Sequence, residues 1–421
     1  MLWATRMEVM RFLIVSLFIL TLPISVQADL EDSLQNPADP RQRDLAQLVQ
    51  TIRSLQARDR LPPELADLVS RLDSTSDLLL LRNRLLALLP DVARQNFHRD
   101  RRTPLRTNSG FSRQNHNDST QRSKPASNWG DLLWLDSDTN LAPRTDLWVQ
   151  TWANDSEQED DFFEYSADSK GWLLGIDQEL TERWLLSVSV GTEASEIDSS
   201  IFGRDDVDSQ QASVGLTYAK DQHSVGLTWQ RTDSETDRLR VLFVPTESGI
   251  RRFPLVSDFD TTRNSIQIAY STYFEPSTTF AITPFVSASY AWLETDDYVE
   301  RGGDALSLIV ETDDEEQILG SLGVTLSWLR IGENWSFAPA ITALVEHDFK
   351  SEITTTISRF TGTDSRFITT GHDISETRWR GGASLSAIFR DRASLTFAYE
   401  AHVRDDYEYD GVILSAQLRV D

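Results

Sequence analysis

The sequence predicts an all-β protein, a twelve-stranded antiparallel transmembrane β-barrel of the outer-membrane type, preceded by a short α-helical N-terminal region. Three observations carry that prediction. Alternation with a period of two recurs from Asp146 to the end of the chain, and such a period means a strand with two different faces. One face of each run is large and apolar while the other is small and polar. The connections between runs alternate between tight turns (TER, KDQ, PST, GEN, DRA) and long acidic links such as NDSEQEDDFFEYSAD. A membrane barrel needs that asymmetry, because one rim carries short turns and the other long loops.

The chain begins with Arg6 and Arg11 ahead of the apolar run FLIVSLFILTLPISV and the small-residue site Val26-Gln27-Ala28. That succession reads as a secretory signal peptide over residues 1–28. No later stretch is long and apolar enough to be a spanning helix, so membrane entry requires strands. Residues 29–98 carry helical spacing: Leu45, Leu48, Val49, Ile52 and Leu55, then Leu65, Leu68, Val69 and Leu72 after the Pro62-Pro63 break, then LLLLRNRLLALL from an N-cap at Ser76. These short amphipathic helices suit packing together as a spacer, or binding a partner. Residues 99–141 are a basic polar linker and pore-spanning segment whose first part is almost free of large apolar residues. It reads as a solvated tether, or as a basic strand held in an acidic lumen by long-range attraction.

Residues 142–421 hold the strands, expected near Asp146–Ala153, Lys170–Leu180, Arg183–Glu193, Asp208–Ala219, His223–Thr232, Arg263–Phe274, Thr279–Glu294, Gln317–Ile331, Trp335–Phe349, Thr377–Phe389, Ala393–Val403 and Asp410–Val420. In the Lys170–Glu193 hairpin, Trp172, Leu174, Ile176, Leu186, Val188 and Val190 form the apolar face, and Leu173, Gly175, Asp177, Ser187, Ser189 and Gly191 lie on the other. A soluble sandwich buries the first face; a membrane barrel turns it to lipid and lines its lumen with the second. Rows such as Val214-Leu216-Tyr218, Val225-Leu227-Trp229, Leu322-Val324-Leu326-Trp328 and Leu395-Phe397-Tyr399 end in aromatics, expected to form a girdle beside the tight turns.

Formal net charge is −26, which argues against nucleic acid as a partner. The charge is uneven: 16 Lys+Arg against 13 Asp+Glu over Asp29–Asn128, leaving about −30 on Trp129–Asp421. There are no cysteines, hence no disulfides, thiolate metal sites or Cys nucleophile.

The order of SKGWLLGIDQELTERWLLSVSVGTEASE, QASVGLTYAKDQHSVGLTWQ, TPFVSASYAWLE, DDEEQILGSLGVTLSW, FAPAITALVEHDF and LSAIFRDRASLTFAYEAHVRDDYEYDGVILSAQLRV resembles the C-terminal translocator domain of classical autotransporters, the type V secretion route. The resemblance spans about Ala142 to Asp421 and lies in the succession of segments. It implies an outer-membrane barrel whose pore holds the segment before the first strand and whose N-terminal passenger reaches the cell surface. It also implies outer-membrane lipid and lipopolysaccharide as surroundings, the barrel-assembly machinery as partner, and a monomer. Two departures stand out. Members usually end on an aromatic residue, whereas this chain ends Leu418-Arg419-Val420-Asp421, so recognition is expected through Val412, Leu414 and Leu418. The stretch ahead of the barrel is also short and without a β-helix repeat.

Chemical motifs are sparse. No GxSxG, HExxH, P-loop or dinucleotide fingerprint is visible, and the six histidines, His98, His116, His223, His347, His372 and His402, lack ligand spacing. Glu346-His347-Asp348 alternate across a strand and cannot meet one substrate. Acidic runs such as Asp160-Asp161 and Asp313-Asp314-Glu315-Glu316 read as solvated loops, or as cation bridges to lipopolysaccharide. The expectation is therefore no enzyme, no cofactor and no metal. Some autotransporters release the passenger by cyclising an asparagine in the pore, which makes Asn128 a candidate junction by position. Otherwise the passenger stays attached and Trp129 to Leu135 plugs the pore, with Trp129 and Trp134 against small lumen residues. Two rival functions remain: a small-solute pore with periplasmic helices, and an adhesin acting through its acidic loops.

Overall fold

The computed structural model describes residues 145–420 apart from 159–163, 200–202, 247–248, 351–354, 362, 372–375, 391 and 406. Of the preceding chain it describes Asp44, Gln47, Leu48, Leu55 and Leu88–Pro90. Asn128, Trp129 and Trp134, and the histidines His98, His116 and His372, lie outside the described residues. The chain divides into two compact units, Met1–Arg43 and Asp44–Asp421, and every described residue belongs to the second.

Twelve long strands make the wall: β1 Thr145–Gln158, β2 Tyr165–Thr181, β3 Trp184–Ser199, β4 Gly203–Lys220, β5 His223–Thr246, β6 Gly249–Thr272, β8 Phe280–Thr295, β11 Glu315–Trp328, β13 Trp335–Asp348, β16 Thr377–Phe389, β17 Ala393–Arg404 and β18 Tyr407–Val420. Each pairs antiparallel with the next, and β18 returns to β1 over fourteen residues from Thr145↔Val420 to Gln158↔Tyr407, which closes the sheet. Closure satisfies every edge, the condition for strands to exist in lipid. Twelve strands ~4.8 Å apart and tilted by about 40° enclose a cylinder roughly 24 Å across at the backbone. Two short strands, β7 Phe274–Ser277 and β12 Arg330–Ile331, extend the connections at one rim. Four more, β9 Tyr298–Val299, β10 Leu308–Thr312, β14 Thr355–Phe360 and β15 Arg366–Thr370, form a separate sheet at the other rim, in the order β15-β14-β10-β9.

The alternation resolves as lipid outside and lumen inside. Leu174 is 50% exposed on the outer wall, whereas Asp177 on the same strand is 4% exposed inside. Outward Val188, Val190, Leu227, Ile268, Leu322, Leu385 and Leu414 continue the apolar belt round the barrel. Each leaves on the order of 80 Å² of side chain uncovered, about 2 kcal/mol apiece in water, so a belt this continuous belongs in hydrocarbon.

Aromatic residues mark both edges of the belt, where the sequence suggested one. At the tight turns Trp184 packs on Tyr218, Phe280 on Trp328 and Trp335 on Phe389, all directly opposed cross-strand pairs with centroids 5.0, 5.3 and 5.0 Å apart. At the far edge stand Trp172, Trp229, Tyr290 and Trp379. Trp229 therefore belongs to the far girdle rather than the turn-side one. Tyr399 leaves the lipid surface: it is buried, and its hydroxyl donates to Asp410. Beyond the far edge the outward positions become charged, with Lys170 and Asp168 above Trp172 and Arg231 and Asp233 above Trp229.

The strands run further past the membrane than the apolar pattern indicates. The β5–β6 hairpin stays paired from His223↔Thr272 to Thr246↔Gly249, and β3–β4 reaches Ser199↔Gly203. Several expected long loops are thus strand extensions. The two long connections, 296–314 and 349–376, fold against each other through Leu308↔Phe360 and Thr312↔Thr356.

Candidate functional site

The lumen and its two mouths are the part of the molecule able to do work. Small hydroxyls line much of the wall and bond across strands: Ser189 with Ser213 at 2.7 Å, Ser224 with Ser271 at 2.7 Å, and Thr325 with Thr342 at 2.8 Å. Such pairs satisfy polar groups without filling space. Inward side chains narrow the bore to the ~10–12 Å width of one α-helix.

On β1 the inward residues are large. Trp148 and Trp152 are buried with Leu173, and each lies over a glycine on β2, in the directly opposed pairs Trp148↔Gly175 and Trp152↔Gly171. A Cβ at Gly175 would sit 2.2 Å from Trp148 Cζ2, and one at Gly171 2.3 Å from Trp152 Cζ2. The indole N–H groups donate to Asp177 Oδ1 (3.1 Å) and Glu193 Oε2 (3.2 Å). The sequence reading passed over these rings. Their signal was the matched spacing of four, Trp148/Trp152 against Gly171/Gly175.

Further round the wall, Glu346 accepts from Arg378 Nε (2.7 Å) and Arg380 Nη1 (3.4 Å). Arg380 also pairs with Glu400, which bonds His402, and His402 stacks on Tyr409 at 4.2 Å. Glu346 and Asp348 point inward while His347 points out to Thr377, as strand parity requires. His223 bonds the Tyr270 hydroxyl beside a tight turn. Among the described residues no group of His, Cys, Asp or Glu forms a metal site, and no helix is long and apolar enough to cross a membrane.

The tight-turn mouth is where the chain enters the wall, since Thr145 opens β1 opposite Gln178 and Val420. The far mouth is capped. Its four-stranded sheet is amphipathic: Leu308, Val310, Phe360 and Phe367 are fully buried, while Ile368 and Arg366 face out. Tyr298 stacks on Phe259 of β6 at 4.7 Å, with the Arg238 guanidinium beside both rings and paired to buried Asp205. Burial pushes the Tyr298 phenol above its ordinary range.

Two contacts tie the N-terminal segment to this cap. Arg240 of β5 forms a two-pronged pair with Glu300 (2.7 and 2.5 Å) and donates through Nη1 to the Leu89 carbonyl at 3.2 Å. Asp44 accepts from the Thr370 backbone N–H (2.6 Å) and hydroxyl (3.2 Å) on β15. Asp44, Leu48, Leu55, Leu88 and Leu89 are all buried.

Residues 147–400 match the sequence profile of the family described as Autotransporter beta-domain. Among solved structures, the fold is similar to the translocator domain of the autotransporter NalP from Neisseria meningitidis, at 17% identity and a TM-score of 0.54, covering 67% of this chain and 90% of that one. It is also similar to the β domain of the Bordetella autotransporter BrkA (14%, TM-score 0.47, covering 65% and 98%). The transport unit of AIDA-I from Escherichia coli is similar too (12%, TM-score 0.44, covering 65% and 89%). No individual curated protein matches the chain in sequence.

Proposed function

Since the chain belongs to the autotransporter β-domain family, as an outer-membrane barrel that translocates a passenger, we propose that its cargo is its own N-terminal segment, residues 29–98. The supporting observation is the placement of two points of one chain. Leu89 bonds Arg240 beyond the far edge of the belt, whereas Thr145 opens β1 at the tight-turn rim. Long loops and short turns put the first outside the cell and the second on the periplasmic side. The intervening chain, residues 90–144, reaches up to ~180–200 Å when extended, ample to cross the membrane once. A bore of one helix width suits it, and residues 99–141, basic in their first part, suit an inner wall bearing Asp146, Asp177, Glu179 and Glu193.

In this reading Trp129 and Trp134 occupy the pore against small wall residues, and Asn128 is the candidate junction if the segment is ever released. Mass spectrometry of surface material with Asn128 intact would remove the release step. The barrel works as a monomer delivered by the assembly machinery, in contact with lipid and lipopolysaccharide, and the exported segment is not an enzyme. The absence of native cysteine makes the test clean. Trp129→Cys is expected to cross-link to inward Ser189→Cys and not to outward Val190→Cys with a short bis-maleimide. A steady large conductance in planar bilayers, with no link to Ser189→Cys, would favour an open solute pore instead.

A further inference from the structure

We infer that a groove on the lipid-facing wall, where β18 closes against β1, holds one phospholipid, its acyl chain in the groove and its phosphate at the arginines of the adjacent turns. This goes beyond the barrel's general contact with lipid, because it names one place, one leaflet and one headgroup charge.

The groove comes from small residues in rows that are bulky elsewhere. Two rows of outward side chains lie nearest the tight turns. On β3 and β4 they carry Trp184 and Leu186 directly opposite Tyr218 and Leu216. On β16, β17 and β18 the corresponding rows include Ala387, Ala393 and Ala416. The register brings the three together: Ala387 and Ala416 flank Leu395 from either side, and Ala393 is the next outward residue toward the turn, opposite Phe389. Ala416 also pairs with Val149 of β1, which carries the groove across the closing seam. Trp335 and Phe389 line one flank, and Leu147, Leu174 and Leu418 the other. Ser394 and Gln417 also line it, but strand parity turns their side chains to the lumen. The result is an almost wholly apolar depression of about 400 Å³, within the ~300–1,000 Å³ of small-molecule sites. Such a surface gains contacts from a hydrocarbon chain and offers nothing to a polar ligand.

The charge at the turn end selects the headgroup. The Arg390 guanidinium lies 5.0 Å over the Phe389 ring, which places it at the mouth of the groove. Its Nε donates to Asn334 Oδ1 at 3.1 Å and its backbone N–H to the Asn334 carbonyl at 3.2 Å, so the turn is braced against its neighbour. Nη1 and Nη2 of Arg390 meet no partner among the described residues. Arg392, also exposed, immediately precedes Ala393. Arg330, exposed on β12, lies opposite Phe337, which in turn lies opposite Ala387. Against these three cations the described residues of the two turns set one carboxylate, Glu333. Guanidinium forks match phosphate oxygens. Short turns mark the periplasmic rim, where the leaflet is phospholipid, whereas lipopolysaccharide occupies the other. Three arginines favour an anionic headgroup over one that brings its own ammonium.

The test uses the full-length protein in non-ionic detergent, observed by native mass spectrometry with phosphatidylglycerol or phosphatidylethanolamine added separately. The expected result is one phosphatidylglycerol retained per barrel, and less phosphatidylethanolamine. Ala387→Leu with Ala416→Leu fills the groove from outside and should abolish retention, while the heat-dependent mobility shift of a folded barrel persists. Arg390→Gln with Arg392→Gln should lower phosphatidylglycerol retention about tenfold and erase the preference between the lipids. Lys220→Gln, at another turn, should change neither. No lipid retained by the parent, or equal retention by the parent and the filled variant, overturns the site. Retention that is lost on filling yet indifferent to the arginine changes overturns the headgroup assignment. A bound polypeptide displaced by filling, in place of a lipid, overturns phospholipid as the occupant.

Discussion

Arg240→Ala is the sharpest probe of the outer cap. Arg240 and Glu300 side chains are 2% and 3% exposed, so solvent does not screen their pair. Removing the guanidinium strands a carboxylate that keeps only the Leu308 N–H, and frees the Leu89 carbonyl of its bond. Breaking one side of a buried ion pair costs about 3–5 kcal/mol. Because the pair lies beyond the apolar belt, the loss falls on the cap and not on the barrel. At 1.36 kcal/mol per tenfold, the opened cap becomes roughly 150 to 5,000 times more populated. Trypsin reads that population when reclosing outpaces cleavage, and Arg366 on β15 supplies the scissile site. The variant should be cut at Arg366 faster by that factor while its folded-barrel mobility is unchanged. The double change Arg240→Met with Glu300→Leu leaves no uncompensated charge and should lose much less. A single variant cut within threefold of the parent would refute the latch.

Other consequences follow from the wall. Leu174→Arg places a charge mid-belt and should cost about 2–4 kcal/mol in denaturant titrations of the lipid-inserted barrel, whereas Asp168→Arg, above the belt, should cost about 0–1. Gly175→Val drives a methyl into Trp148 and breaks its bond to Asp177; overpacking of about 1–3 kcal/mol should slow appearance of the folded band, with partial rescue by Trp148→Ala. Trp184→Ala and Tyr218→Ala form a double-mutant cycle at the turn-side girdle, where a coupling of about 0.5–1.5 kcal/mol is expected; zero coupling would remove the pair from the account.

The turn-side half of the molecule was legible because lipid writes it in residues. Every strand end beside a tight turn falls close to its expected place, since each apolar row there starts at the membrane edge: His223, Trp335, Phe389 and Ala393 are strand ends in both. The outer ends were not legible in the same way. β5 continues from Thr232 to Thr246, first through the polar run TDSETDR, because both faces leave the hydrocarbon there, and the contrast that marks a strand fades. The cap was hidden for another reason. Leu308 meets Phe360 only after a whole hairpin of wall has intervened, and no local pattern in DALSLIVET or TTISRF names that partner. The Leu48 and Leu55 stripe was visible as a helix face, but the surface burying it was not. Asn128, Trp129 and Trp134 lie outside the described residues and stay proposals argued from the direction of the chain.

The claim on which the account depends is that the N-terminal segment leaves the cell through its own barrel. An epitope inserted after Asp29, with a second in the loop 159–163, tests it on intact cells by added protease. Loss of both epitopes without permeabilising the outer membrane is the predicted result. Loss of the loop epitope alone, with the one after Asp29 cut only once the membrane is opened, would contradict export and leave the segment in the periplasm.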